Sequence, residues 1–195
     1  MTYQPQTFDN LLGLTGFSNQ LLQNHFKLYQ GYVANTNKLL DILSSMTKEG
    51  KTAAPEFAEV QRRFGWEFNG MRLHELYFSN LTKNSQPLSA GSSLLKVLVE
   101  QFGSVELWEK QFRALGAMRG IGWVALQYDP TSKKLINIWI NEHDVGHLAT
   151  TKSLLIMDVF EHAFMLDYGL NRADYVHAFF KSIDWNEIEK RFSSP

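Results

Sequence analysis

Asp158-Val159-Phe160-Glu161-His162-Ala163 is the stretch on which the reading of this chain turns. It closes one apolar run, Leu154-Leu155-Ile156-Met157, and opens a second. Asp158 and His162 are four residues apart, and on one helical turn that spacing puts both side chains on the same face. A carboxylate and an imidazole wedged between apolar residues are costly to bury unless something pairs them. A hydrogen bond between the two would do so. So would a divalent or trivalent metal ion held by both.

The flanking sequence frames this pair. Ser153 to Met157 reads as a short strand. Gly120 to Tyr128 and Leu135 to Asn141 are two further β-like runs, and Asp129-Pro130-Thr131-Ser132-Lys133-Lys134 between them carries turn residues, so they read as a hairpin. Leu94 to Phe102, and Val105 to Leu115 capped by Ser104, are short helices; Arg172 to Lys181 and Asp184 to Phe192 close the chain. At the other end Ser18 caps an amphipathic helix from Asn19 to about Met46, in which Leu21, Leu22, His25, Leu28, Tyr29, Tyr32, Leu39, Leu40 and Leu43 recur at helical spacing. Gly50 ends it. Pro55 suits the first turn of a second helix reaching Asn80, with Asn69-Gly70 as an interruption or kink. Two long helices on a short polar connection read as an antiparallel hairpin, and the polar stretch from Thr82 to Ser92 as the linker between halves. The expected fold class is therefore α+β: an N-terminal helical hairpin, residues 1–86, then an α/β half, residues 87–195, with a three-stranded antiparallel sheet flanked by helices and a metal site between the two.

Bulk composition narrows the function. Nineteen Lys and Arg against twenty Asp and Glu leave no field to attract nucleic acid or a membrane surface. With no cysteine, any metal must be held by nitrogen and oxygen. Met1 to Gln6 shows no basic region leading into an apolar stretch, and no apolar run approaches bilayer length, so a cytoplasmic protein is expected.

Four other positions could carry chemistry. His25 lies on the inner stripe of the first helix, and Tyr32 follows two helical turns on, facing the same way. His74 lies on the second helix amid Leu73, Leu76 and Tyr77, and His143 just after the second strand. Alone, each histidine reads as well as a satisfied core or surface residue. Together, one histidine from each helix plus Asp158 and His162 supply three nitrogens and one oxygen, a set suited to Fe, Mn or Zn.

These segments carry a resemblance that runs along nearly the whole chain. Asp158-Val159-Phe160-Glu161-His162-Ala163-Phe164-Met165-Leu166-Asp167-Tyr168, then Asn171-Arg172-Ala173-Asp174-Tyr175-Val176 and Asp184-Trp185, resemble the metal-ligand block of the iron/manganese superoxide dismutase family. Gly120-Ile121-Gly122-Trp123 resembles its G-[ST]-G-W strand, Asn69 to Phe78 its second-helix motif, and His25 to Asn37 its first helix. The resemblance implies a superoxide dismutase with one Fe or Mn per chain on His25, His74, Asp158 and His162. It puts Tyr32 at the gateway and His143 at the position that hydrogen-bonds the metal-bound solvent. Trp123 falls among the aromatics around the pocket, and Glu161 at a homodimer, or tetramer, interface. Lys27 and Arg172 are the candidate cations for guiding the superoxide anion.

The chain departs from the family at several points. His25 and Tyr32 are seven residues apart where the family has eight, so either a residue is deleted here or Asn24 occupies the ligand position; the upstream alignment favours His25. The family's second first-helix histidine is replaced by Leu28 or Tyr29, its partner tyrosine by Met165, and two of its tryptophans by Phe78 and Phe160. Two rival readings follow. One is a dismutase-fold interaction module with lost or altered activity. The other is a non-haem iron oxygenase, against which a fourth protein ligand argues.

Overall fold

The structure of the protein, a computed structural model, describes residues 2–194; Met1 and Pro195, the outer limits of the two-part division, lie outside them. After a turn of 3-10 helix at Asp9–Leu11, α1 (Asn19–Lys48) and α2 (Pro55–Ser79) run side by side. Ser18 caps α1, its hydroxyl accepting the Leu21 N–H at 3.0 Å. Pro55 opens α2, where its missing N–H leaves nothing unpaired. The inner stripe of α1, with Leu21, Leu22, Tyr29 and Val33, is buried, as are Met71, Leu73, Tyr77 and Phe78 of α2.

Then come α3 (Ser93–Phe102), α4 (Val105–Gly116), β1 (Gly122–Asp129), β2 (Lys134–Asn141), β3 (Lys152–Asp158), α5 (Met165–Tyr168), α6 (Arg172–Lys181) and α7 (Trp185–Ser193). The three strands form one antiparallel sheet in the order β2-β1-β3. As the central strand β1 is covered on both faces, its residues Trp123 to Leu126 are fully buried. Gly122 starts it at φ +147°, where an added Cβ would stand 2.1 Å from the Ile140 carbonyl oxygen, so no other residue fits.

The end of α2 is tied to the sheet by polar bonds. Asn80 donates to the Ile156 carbonyl at 2.5 Å, and the Thr82 N–H to the Ser182 carbonyl at 2.8 Å. Arg191 of α7 is partly buried there and donates to Asn80 Oδ1 (2.7 Å), Ser79 Oγ (2.6 Å) and the Leu154 carbonyl (2.7 Å). These bonds fix where α2 meets β3, and so set His74 against Asp158.

Two local expectations are corrected. Asn69-Gly70 does not interrupt α2, which is continuous to Ser79. Gly70 instead makes room: a Cβ there would lie 2.6 Å from the Tyr32 ring. Nor do Asp158 and His162 share a helical turn. Asp158 is the last residue of β3, and His162 sits in a 3-10 turn, Glu161–Ala163. They meet because the chain doubles back, the Phe160 N–H returning to Asp158 Oδ1 at 2.8 Å.

Candidate metal centre

Four donor atoms converge where the helical hairpin meets the end of β3. Asp158 Oδ2 lies 3.2 Å from His25 Nε2, 3.1 Å from His162 Nε2 and 3.7 Å from His74 Nε2. One ligand atom from each of the four residues lies within 4.8 Å of the others. His25, His74 and Asp158 are buried, whereas the His162 side chain keeps 28 % of its surface.

The second contact of each side chain fixes its role. His74 Nδ1 donates to the Gly70 carbonyl at 2.6 Å, so Nε2 carries the lone pair, and this buried atom has no hydrogen-bond partner. A bare nitrogen lone pair facing a carboxylate oxygen, with neither able to donate, is an arrangement that a bound cation would compensate. Asp158 Oδ1 is held by the Phe160 N–H and its carbonyl by the Tyr175 hydroxyl, at 2.5 Å. Oδ2 is thus the atom left to face the three imidazoles. The donor set, the bare Nε2 and the span of the cluster fit a single ion with metal–ligand bonds of roughly 2.0–2.2 Å.

Burial sets the protonation states. It lowers the pKa of His25 and drives that of His74 well down, with the neighbouring imidazoles adding to the effect. Burial alone would raise Asp158, but the His162 charge and the bonds from His162 and His25 hold it well below the usual carboxylate range. At neutral pH His25 and His74 are therefore neutral imidazoles beside an ionised carboxylate, the forms a cation needs.

Beside the four donors runs a short hydrogen-bonded chain. The Trp123 indole N–H donates to His143 Nδ1 at 3.0 Å. Indole can only donate, so Nδ1 is the acceptor and the proton of neutral His143 sits on Nε2. Nε2 therefore donates to the Tyr32 hydroxyl oxygen, 2.8 Å away. The Tyr32 proton remains free to be given elsewhere. Burial lowers the His143 pKa to about 4 and raises that of Tyr32, with the Asp158 and Glu67 charges adding to the latter. Both are neutral at pH 7. The ring of Tyr32 stacks on His74 at 5.1 Å, and Phe160 stacks between His143 (5.0 Å) and His162 (5.2 Å).

The structure separates residues that spacing left ambiguous. His25 points into the centre, while Asn24 is exposed and accepts from Gln20. Tyr29 turns inward, its hydroxyl donating to Glu75 at 2.9 Å and accepting the Gln6 N–H, so Leu28, 36 % exposed, is the residue on the outer surface. Arg172 is held in place, donating to the Met118 and Gly120 carbonyls at 2.6 and 2.9 Å, neutral partners that leave its charge intact. Lys27 is exposed. One residue against this chain was missed entirely. Trp66 packs on His143 with ring centroids 4.5 Å apart. Its signal is the spacing Trp66, Gly70, His74, three residues on one face of α2.

Fold and centre together define a chain in which three imidazoles and one carboxylate form a cluster able to hold a single metal ion, between a helical hairpin and a small antiparallel sheet. Comparison with known proteins makes this specific. Residues 89–191 match the model of the iron/manganese superoxide dismutases, C-terminal domain. The chain is 33% identical over 185 residues to the superoxide dismutase (Fe) of Cupriavidus metallidurans, covering 93% of this chain and 91% of that one. It is 34% identical over 176 residues to superoxide dismutase (Mn) 2 of Haloferax volcanii, covering 90% and 86%. With the superoxide dismutase (Fe) of Aquifex pyrophilus the figures are 32% over 184 residues, covering 92% and 85%. The chain belongs to the iron/manganese superoxide dismutase family.

Proposed function

We infer that this protein is a superoxide dismutase that converts two superoxide anions and two protons to dioxygen and hydrogen peroxide, with one Fe or Mn on His25, His74, Asp158 and His162. The observation that supports this is the bare, buried Nε2 of His74 facing Asp158 Oδ2 at 3.7 Å, a lone pair and a carboxylate that a shared cation would satisfy together. A bound Fe or Mn would supply the one-electron steps, oxidising one superoxide and reducing the next.

The chain's own residues do the rest. Asp158, fixed through Oδ1, brings negative charge to the donor set and favours the more oxidised ion. His74 is aimed by the Gly70 carbonyl, as orienting bonds aim metal-bound histidines elsewhere. Tyr32 and His143 are the residues proposed to move protons: His143 Nε2–H holds the Tyr32 oxygen, so the phenol proton is presented outward to a reacting group beside it. The rings of Phe78, Trp123 and Phe160 pack against His25, His74 and His162, an apolar surround that strengthens each charge interaction among the donors. The closed set of four donors supports this reading over an oxygenase with three.

Two further parts belong to the proposal. Residues 1–86 and 87–195 act as two units clamped by the metal, since His25 and His74 come from one and Asp158 and His162 from the other. Two copies associate about a two-fold axis at Glu161, as a homodimer or within a tetramer. In support, Glu161 shares a surface cleft with Ile121, Met165 and Leu170, and Leu170 is 92 % exposed in the single chain. Among the described residues no helix is long and apolar enough to cross a membrane. Cytoplasmic residence rests on the sequence reading alone. Elemental analysis of the purified protein, paired with a dismutase assay per bound metal and with sedimentation at micromolar concentration, tests all but the last. About one Fe or Mn per chain with turnover is expected, and metal-loaded protein without turnover would refute the activity.

A further inference from the structure

Trp66 belongs to none of the family motifs quoted above, yet it closes the open side of the His143–Tyr32 pair. Its ring meets His143 edge-on at 4.5 Å and lies 5.7 Å from Tyr32. Two charged residues hold it. The Arg63 guanidinium sits 3.8 Å over the ring, itself bonded to Glu67 at 2.7 Å. The indole N–H donates to Glu142 Oε2 at 3.3 Å. Glu142 precedes His143 in the chain and has φ +49°, a left-handed conformation in which a non-glycine residue is strained. The bond to Trp66 therefore anchors the strained residue that carries His143. The imidazole is fixed through Nδ1 by Trp123 and on one face by Phe160, and Trp66 supplies the remaining wall.

We propose that Trp66 is a positioning residue for this centre, held by Arg63 and Glu142, which keeps His143 Nε2 on the Tyr32 hydroxyl. Without it the imidazole has room to swing toward the vacated volume and the bond to Tyr32 opens. The proposal deepens the dismutase reading and rests on it only for its kinetic arm.

The test uses the metal-loaded full chain, comparing the native protein with Trp66→Ala, Trp66→Phe and Glu142→Ala, by crystal structure and by kcat and KM measured separately. Trp66→Ala is expected to retain its metal, to part His143 Nε2 and Tyr32 beyond hydrogen-bond distance, and to lower kcat by about 10-fold, a modest share of what a proton-transfer group contributes, while KM moves less than about twofold. Trp66→Phe, which keeps a ring against His143, should recover most of the loss. Glu142→Ala should give an intermediate effect, and it decides the matter if Trp66→Ala does not fold. An intact His143–Tyr32 bond in both alanine variants, with kcat within about twofold of native, would overturn the proposal. So would a kcat loss in Trp66→Phe equal to that in Trp66→Ala with the bond intact in each. If the native protein loads metal and shows no turnover, the dismutase reading fails, while the crystallographic distance still decides what Trp66 does.

Discussion

The four-donor centre and the rim outside it are built under different constraints. In the centre the atoms behind the donors are tied to fixed partners: His74 Nδ1 on Gly70, Asp158 Oδ1 on Phe160, the Asp158 carbonyl on Tyr175. These groups are buried, and removing one partner leaves another uncompensated, at a cost of about 1–3 kcal/mol for each neutral group and more for a charge. At the rim, Leu28 and Met165 are 36 % and 47 % exposed and apolar. Where the family has a histidine and a tyrosine that bond each other, this chain has lost both, so no polar atom is stranded. A pair can drift together at the surface; a buried network cannot. A chain about a third identical to its relatives can thus carry all four donors and an altered rim.

Breaking the centre gives the largest expected effect. His74→Ala should abolish metal retention, leave a space in the buried core where the imidazole packed, and lower apoprotein stability. His162→Ala should abolish metal retention with a smaller loss of stability, because His162 is partly exposed. At the rim, Met165→Ala should keep about one ion per chain. Elemental analysis and thermal melts of the three variants check this, and a centre variant that kept its full metal would refute the ligand assignment.

Acid attacks the same centre more gradually. The folded-state pKa values of His25 and His74 are lowered by burial, and that of His143 falls from 6.5 to about 4. Below pH 6.5 the unfolded chain binds protons that the folded chain refuses, so stability is lost as pH drops. The window opens near 6.5; it runs down through about 4 for His143 and extends downward from 6.5 for His25 and His74, whose folded-state values are also lowered. Asp158 adds to it lower down: its folded pKa is lowered, so its contribution is present above about 3.9 and is lost as pH falls further. Metal retention should fail in the same direction, since protons and metal compete for His25 and His74. Melting curves of apoprotein and metal content after dialysis, from pH 7.5 down to 4.5, check the sign; stability that rose on acidification would contradict it.

What could be read from the letters follows the same division. The hairpin was legible because Leu21, Leu22, Tyr29 and Leu43 repeat at helical spacing over a long span, and the β1–β2 hairpin because Asp129-Pro130 and the residues after it mark a turn. The donors were legible as types. Their geometry was not: Asp158 and His162 were expected on one helical turn, and a strand end followed by a 3-10 turn brings them together instead. Gly70 read as a break because propensity describes a helix alone, and it could not show the Tyr32 ring that needs the space. Leu28 and Tyr29 differ by a single helical step of about 100°, enough to send one to the surface and the other to Glu75. Trp66 is meaningful only through residues 32, 142 and 143, contacts that no local pattern encodes.

Tyr32→Phe sharpens the boundary between centre and rim, with an intermediate effect. The ring keeps its stacking on His74, so folding and metal loading should be retained. The lost hydroxyl takes away the acceptor of His143 Nε2–H, and a stability loss of about 1–2 kcal/mol is expected unless water replaces it. Turnover should fall more than stability does. A melting temperature and metal content equal to native, together with unchanged turnover, would remove Tyr32 from the proton path.

The smallest effect is expected at the rim, and it runs in the opposite direction. Restoring the family's pair as Leu28→His with Met165→Tyr rebuilds a polar contact that in the family spans two subunits. Each single substitution places a polar group on an exposed position without its partner, so neither should alter folding or metal content, and neither should gain much activity. The double variant should gain turnover per bound metal by a few-fold if proton delivery at the mouth is what the altered rim lacks, a small fraction of the roughly 100-fold or more that a full acid–base group supplies. The informative quantity is the non-additivity of the pair, read from the two singles and the double across several pH values. A gain in the double that exceeds the two singles combined would mean that the rim still limits this enzyme. Additive or absent gains would mean that Tyr32 and His143 already deliver protons as fast as the centre can use them. Tyr29 cannot be the substitute, because its hydroxyl is committed to Glu75 and to the Gln6 N–H.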